Sequence, residues 1–104
     1  MDEKLLPLIC RAKQDGDIAA LVTIIKTRGS TPRKAGSQML VMSDGKIHGT
    51  IGGGCGEAEA RKWALLALDT EKAMLHTVAM DNDVAAREGM ACGGEMDLFI
   101  QVLE

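Results

Sequence analysis

The sequence predicts an α+β domain, a mixed β-sheet with two main helices packed on it, as a single unit over residues 1–104. Three observations carry that expectation. Residues 18–27, Ile-Ala-Ala-Leu-Val-Thr-Ile-Ile-Lys-Thr, are apolar on both faces and rich in β-branched side chains, as in a central strand covered on both sides. Ser43-Asp44-Gly45 stands between two strand-like runs, where Asp-Gly is a strong hairpin signal. Residues 57–68 read as a helix that turns apolar almost all round from Trp63 onward, so it needs cover from a sheet and from a neighbouring helix or protomer. The order helix, strand, hairpin, helix, strand, strand then places helices on a sheet.

In chain order, Leu5, Leu6, Ile9, Ala12 and Ala19 fall near helical spacing. Asp2 is positioned to cap that helix, Pro7 comes early enough to be tolerated, and Asp15-Gly16-Asp17 ends it. Cys10, beside Ile9, is expected on the buried stripe as a small hydrophobe. After the strand at 18–27 comes a polar loop at 28–36, and the hairpin pairs 38–42 with 46–51. The hairpin's second strand runs into Gly52-Gly53-Gly54-Cys55-Gly56 and then the second helix, where Glu57 and Arg61 stand in the favourable i,i+4 order. Residues 72–80 form a further strand, 81–90 a loop or short helix, and 95–103 a closing strand with Met96, Leu98, Ile100 and Val102 alternating.

Composition narrows the function. Hydrophobic residues make up 46% of the 104, but aromatic residues only 2%, so the core is built from aliphatic side chains and seven Met. Such a thin core invites burial against a partner, and a homo-oligomer is expected. The formal charge of −3 is the wrong sign for a general nucleic-acid binder. The sequence has no apolar run of about 18–20 residues for a membrane span, and Met1-Asp2-Glu3-Lys4 is no signal-peptide start, so a cytoplasmic protein is expected. Cys10, Cys55 and Cys92 are odd in number and widely spaced, which argues for reduced thiols rather than a disulfide framework. Without a CxxC pair, and with only His48 and His76, the ligand spacing of a structural zinc site is missing.

Three loops carry the candidate chemistry. Gly52, Gly53 and Gly54 let successive backbone N–H groups converge at a helix start, where the dipole favours negative charge and lowers the pKa of a thiol such as Cys55. The triplet is neither a dinucleotide fingerprint, since Glu57 stands where GxGxxG needs glycine, nor a P-loop, since Cys55 stands where lysine belongs. A tight turn before a small buried cysteine is the plainer alternative. The loop at 28–36 joins Arg28, Arg33 and Lys34 to the hydroxyls of Ser30 and Thr31, a set suited to a phosphate or carboxylate, or else an ordinary solvated loop. The third is Glu88-Gly89-Met90-Ala91-Cys92-Gly93-Gly94-Glu95, a second thiol among glycines. His48 and His76 read as half-exposed strand residues, His76 with no carboxylate nearby in sequence, and Asp81-Asn82-Asp83 as a turn or helix cap.

At these loops the sequence resembles a known family. Gly29-Ser30-Thr31-Pro32-Arg33, then Gly49-Thr50-Ile51-Gly52-Gly53-Gly54-Cys55 followed by Glu57-Ala58, and Gly89-Met90-Ala91-Cys92-Gly93-Gly94 resemble the N-terminal domain of the XdhC/CoxI family. These are accessory proteins of xanthine dehydrogenase and related molybdenum hydroxylases. The likeness runs from about residue 18 to 103, with the motifs in family order. It implies a chaperone that holds molybdenum cofactor (molybdopterin) as cargo, assists its sulfuration and delivers it to the apo-enzyme of a molybdenum hydroxylase. Implied cofactor-binding residues are Ser30, Thr31, Arg33, Gly52, Gly53, Gly54, Cys55, Cys92, Gly93 and Gly94, with Cys55 and Cys92 as candidate molybdenum contacts. Arg33 and Ser30 suit the pterin phosphate, and Cys55 is the more activated thiol. A cysteine desulfurase is a further implied partner. Longer family members carry a Rossmann-like domain after this one; here no Rossmann-like second domain is expected, and a separate Rossmann-domain chain is a candidate partner.

Two other readings stay open. One is a thiol-dependent sulfur-transfer enzyme using Cys55, for which the sequence offers no evident base. The other is a non-catalytic oligomerising interaction module whose glycine turns are structural only.

Overall fold

The computed structural model describes residues 3–31, 33–79 and 94–104, with Cys55 described in its backbone only. Helix α1 (Leu6–Gln14) leads into strand β1 (Ala19–Arg28), the hairpin of β2 (Gln38–Met42) and β3 (Ile47–Gly49), helix α2 (Gly54–Thr70), β4 (Met74–Ala79) and β5 (Glu95–Leu103). The strands form one five-stranded sheet in the order β3-β2-β1-β5-β4. The α+β class holds.

The sheet, expected to be mixed, is antiparallel at every neighbouring pair. A helical crossover can join parallel neighbours. β3 and β4 do run the same way, but α2 carries the chain past β2, β1 and β5 before β4 is laid down, so the parallel strands sit at opposite edges.

The alternation of β1 decides where the helices go. Ala20, Val22 and Ile24 point to one face, where Met39, Val41, Val78, Met96, Leu98 and Ile100 join them in a core closed by Ala60, Ala64, Ala67 and Leu68 of α2. Three alanines on the buried side of α2 let its backbone approach the sheet closely, and each large core side chain contributes about 1.5–3 kcal/mol by leaving water. On the opposite face Ala19, Leu21 and Leu40 are covered by Leu5 and Ile9 at the start of α1. Both faces of β1 are therefore buried from Ala19 to Val22, whereas further along Ile25, expected under cover with the rest of the run, is 50% exposed beyond the reach of α1.

The hairpin turns at Gly45, whose φ is +88°. Its Met42 N–H donates to the Lys46 carbonyl at 2.9 Å, and Asp44 Oδ1 accepts from the Lys46 N–H at 3.0 Å. Arg61 of α2 braces the turn by donating from Nε to the Gly45 carbonyl at 2.9 Å. The expected pair between Glu57 and Arg61 gives way to this bond and to another use of Glu57 described below.

Cys10 is exposed rather than buried. The stripe of α1 that meets the sheet runs through Leu5, Ile9 and Ala12, and position 10 lies about 100° round the helix from Ile9. Leu5 occupies the N-cap position and Pro7 falls in the first turn; the cap expected at Asp2 and the segment at 81–90 lie outside the described residues. Among the described residues no helix is long and apolar enough to cross a membrane.

Candidate functional site

Strand register puts the ends that matter together. Arg28, the last residue of β1, pairs with Glu95, the first of β5, which also pairs with Ala79 at the end of β4. β3 ends at Gly49 opposite Met39, near the start of β2, and α2 begins a few residues later. The loop after β1, the turn between β3 and α2, and the entry to β5 therefore all open at one end of the sheet.

Two of the three motifs touch there. Gly94 is buried, and a Cβ built on it would meet the Ser30 carbonyl, the Arg28 carbonyl at 2.8 Å and the Thr31 methyl at 2.8 Å. Glycine is required by this close approach of backbone to backbone. The loop holds its own shape through a bond from Thr31 Oγ1 to the Arg33 carbonyl at 2.8 Å. Below it, Gly36 donates to the Ile24 carbonyl at 2.7 Å and Ile24 to the Ser37 carbonyl at 3.0 Å.

The loop also borders the second motif. Arg33, Ser37 and Gln38 line a cleft of about 300 Å³ with Gly49, Thr50 and Lys4. Beyond it, Gly52, Gly53 and Gly54 have φ of +126°, +76° and +63°, a succession that only glycine adopts readily. A Cβ on Gly53 would meet no described residue within 4 Å, so on that side its backbone is open to close approach.

Glu57 organises this turn. Its Oε2 accepts from Thr50 Oγ1 at 2.8 Å and from the Gly53 N–H at 3.0 Å, while Thr50 Oγ1 accepts from the Gly52 N–H at 3.0 Å. A carboxylate from the helix itself thus takes one amide of the expected anion cradle and a hydroxyl takes another. The helical ladder starts with the Glu57 N–H on the Gly53 carbonyl at 3.4 Å, so Gly54, Cys55 and Gly56 precede it at the positive end of the helix dipole.

Of the three cations in the loop at 28–36, Arg28 is committed to the scaffold. Its two terminal nitrogens reach Asp97 at 2.9 and 2.8 Å, and Nη2 also reaches Glu95 at 3.2 Å. Thr77 Oγ1 donates to Asp97 at 2.8 Å. The Arg28 guanidinium and then the Thr77 hydroxyl hold the Asp97 carboxyl well below its ordinary range. Arg28 thereby ties β1, β5 and β4 together beside Gly94 rather than facing a ligand.

The remaining candidates fall as follows. Ser30 and Arg33 are exposed and Thr31 half-buried; Gly52 and Gly53 are half-buried and Gly54 exposed. Cys55 is the second residue of α2, and Cys92 and Gly93 lie outside the described residues. Among the described residues no group of three or more His, Cys, Asp or Glu gathers to hold a metal ion. Sequence reasoning missed Lys4, Ser37 and Thr50 on the cleft, and Glu57 as the organiser of the glycine turn; the Thr50 to Glu57 spacing across three glycines was the available signal. It also missed a carboxylate for His76. Glu59 Oε1 lies 3.4 Å from His76 Nε2, and the Trp63 ring is 4.5 Å from the imidazole, both contacts made from α2.

An antiparallel sheet clasped by two helices, with glycine turns from distant parts of the chain gathered at one end, defines a small α+β domain of the loop-site class. The chain belongs to the XdhC and CoxI family, whose model matches residues 12–79. It is 45% identical over 83 residues to the uncharacterized protein YqeB of Escherichia coli K12, covering 80% of this chain and 15% of that protein. To the molybdenum cofactor insertion chaperone PaoD of the same organism it is 31% identical, covering 95% of this chain and 31% of PaoD. To a Bacillus subtilis protein named as a probable subunit of xanthine dehydrogenase it is 32% identical, covering 78% of this chain and 25% of that protein. The crystal structure of a xanthine dehydrogenase from Bacillus halodurans shares the fold, with a TM-score of 0.78 at 22% identity, over 95% of this chain and 30% of that one. The chain thus spans less than a third of the length of each of these relatives.

Proposed function

We propose that this domain holds molybdenum cofactor as cargo and passes it to the apo-enzyme of a molybdenum hydroxylase, without turnover of its own. The observation that carries this reading is the meeting of the family's motifs at one end of the sheet, where Gly94 packs on the Ser30 carbonyl and Arg33 shares a cleft with Gly49 and Thr50. The relative named as a molybdenum cofactor insertion chaperone aligns over nearly the whole chain, which supports the same role.

The cargo is an anionic pterin with a phosphate at one end and a dithiolene-bound metal at the other. Cations and amides suit the first end, and a thiol at a helix start suits the second or a sulfur to be transferred. Cys55 is assigned that place and Cys92 a supporting one. A cysteine desulfurase supplies the sulfur for cofactor maturation in this scheme, a chain bearing a Rossmann-like domain is a candidate companion, and self-association supplies the remaining cover for α2. The test mixes the protein with molybdenum cofactor, removes free cofactor by gel filtration, and measures activation of a hydroxylase apo-enzyme. Co-elution and activation are expected, both reduced at least tenfold in Cys55→Ser. Absence of co-elution with the parent protein overturns the reading.

A further inference from the structure

We infer that the outward face of α2 is a two-fold interface between two copies of this chain, the helices antiparallel about an axis between Leu65 and Leu66, with Lys62 of each copy opposite Asp69 of the other. This rests on the self-association proposed above and gives it a surface and a register; the cargo role does not enter.

Ala60, Ala64 and Ala67 set one side of α2 against the sheet and are fully buried. On the opposite side lie Ala58, Lys62, Leu65, Leu66 and Asp69. Lys62 and Asp69 are exposed, Leu65 is half-buried and Leu66 is 43% exposed. At about 100° per residue, Lys62 and Asp69 fall in one line along the helix, two turns apart, and the two leucines flank that line midway. The spacing i, i+3, i+4, i+7 is the four-residue diamond against which a second helix packs. These side chains also border a shallow depression of about 620 Å³.

Charge selects the occupant. Lys62 and Asp69 stand about 10 Å apart along the helix axis, and among the described residues neither forms a salt bridge. The Lys62 ammonium lies 5.9 Å from the centre of the Trp63 ring. A two-fold axis makes an isologous contact, in which every pair of facing residues occurs twice. Centred on Lys62, it would oppose two ammonium groups; centred on Asp69, two carboxylates. Centred between Leu65 and Leu66, it sets Leu65 against Leu66 of the partner subunit and forms a Lys62–Asp69 pair at each end. Opposite charges across the contact favour this register over the other two. The stripe is thus complementary to itself reversed, which a second copy of the chain satisfies without any further partner.

The test is sedimentation equilibrium of the whole chain from about 1 to 100 µM, where a dimer is expected. Lys62→Glu and Asp69→Lys, each checked for the parent's circular dichroism spectrum, set like charges against each other at both ends. Each is expected to raise the dissociation constant by about tenfold or more. Mixed in equal amounts, the two variants restore opposite charges at both ends, and the mixture is expected to associate within about threefold of the parent. Leu66→Glu puts a charge at the apolar centre and is expected to be monomeric throughout that range, a second readout should a reversal fail to fold. A dimer indifferent to the reversals and to Leu66→Glu overturns this interface while self-association stands. Reversals that weaken the dimer without recovery on mixing overturn the two-fold register. A parent that stays monomeric, or that binds a different protein through this face instead, overturns the interface and the self-association together and leaves the cargo role untouched.

Discussion

The carbonyl oxygen of Ser30 lies where a side chain on Gly94 would begin. The last glycine of one motif is thereby locked against the backbone of another, 64 positions earlier by residue number. Gly94→Ala must push the loop after β1 away from the entry to β5. Overpacking of this kind costs about 1–3 kcal/mol. A urea midpoint shifted by that amount is the expected result, with amide shifts extending through residues 28–31; an unshifted midpoint would show that the two segments are not in contact.

Glu57 accepts from both Thr50 and Gly53, so Glu57→Ala leaves two donors without their partner at the helix start. The expected loss is about 1–2 kcal/mol of unfolding free energy. Glu57→Gln keeps an acceptor oxygen in place and should recover at least half of it. Equal destabilisation by the two variants would count against the hydrogen bonds as the cause.

Asp97 gives the fold a pH dependence of known sign. Its carboxyl is held by Arg28 and Thr77 well below the ordinary value of 3.8. Above that value both folded and unfolded chains carry the charge and the stabilisation is complete. As the pH falls below it, the unfolded chain takes up a proton that the folded chain refuses, so stability declines. Asp97→Asn is expected to be less stable than the parent at pH 7 and to show a flatter decline between pH 4 and 2, measured by urea midpoints across the series. Parallel pH profiles would refute the assignment.

Gly45 and Arg61 should prove energetically coupled. With φ at +88°, Gly45→Ala bears backbone strain of about 1–2 kcal/mol, and its methyl also meets the Arg61 guanidinium. Arg61→Ala removes the crowding and the bond to the Gly45 carbonyl but leaves the strain. The double variant is therefore expected to be less destabilised than the sum of the singles, by about 0.5–1 kcal/mol in a thermodynamic cycle; strict additivity would contradict the contact.

Much of the fold was legible because its signals are local. β5 has the bounds the alternation at 95–103 predicts, with Met96, Leu98 and Ile100 buried, the Asp44-Gly45 turn lies where its chemistry requires, and the first half of the apolar run of β1 is buried on both sides. Cys10 lies off the buried stripe although it adjoins Ile9, because neighbours on a helix diverge by about 100°.

The sequence alone determined the element types, the hairpin, the three glycine motifs and, through them, the family. Tertiary structure alone decided which charges line a cleft and which are spent on the scaffold. Arg28 and Arg33 look alike in one loop, yet Arg28 meets Asp97, 69 residues away, and Arg33 meets a cleft shared with Lys4 and Thr50. Turn chemistry and side-chain period are set within a few residues, whereas the partner of a charge depends on the register of distant strands and on where α2 carries the chain across the sheet.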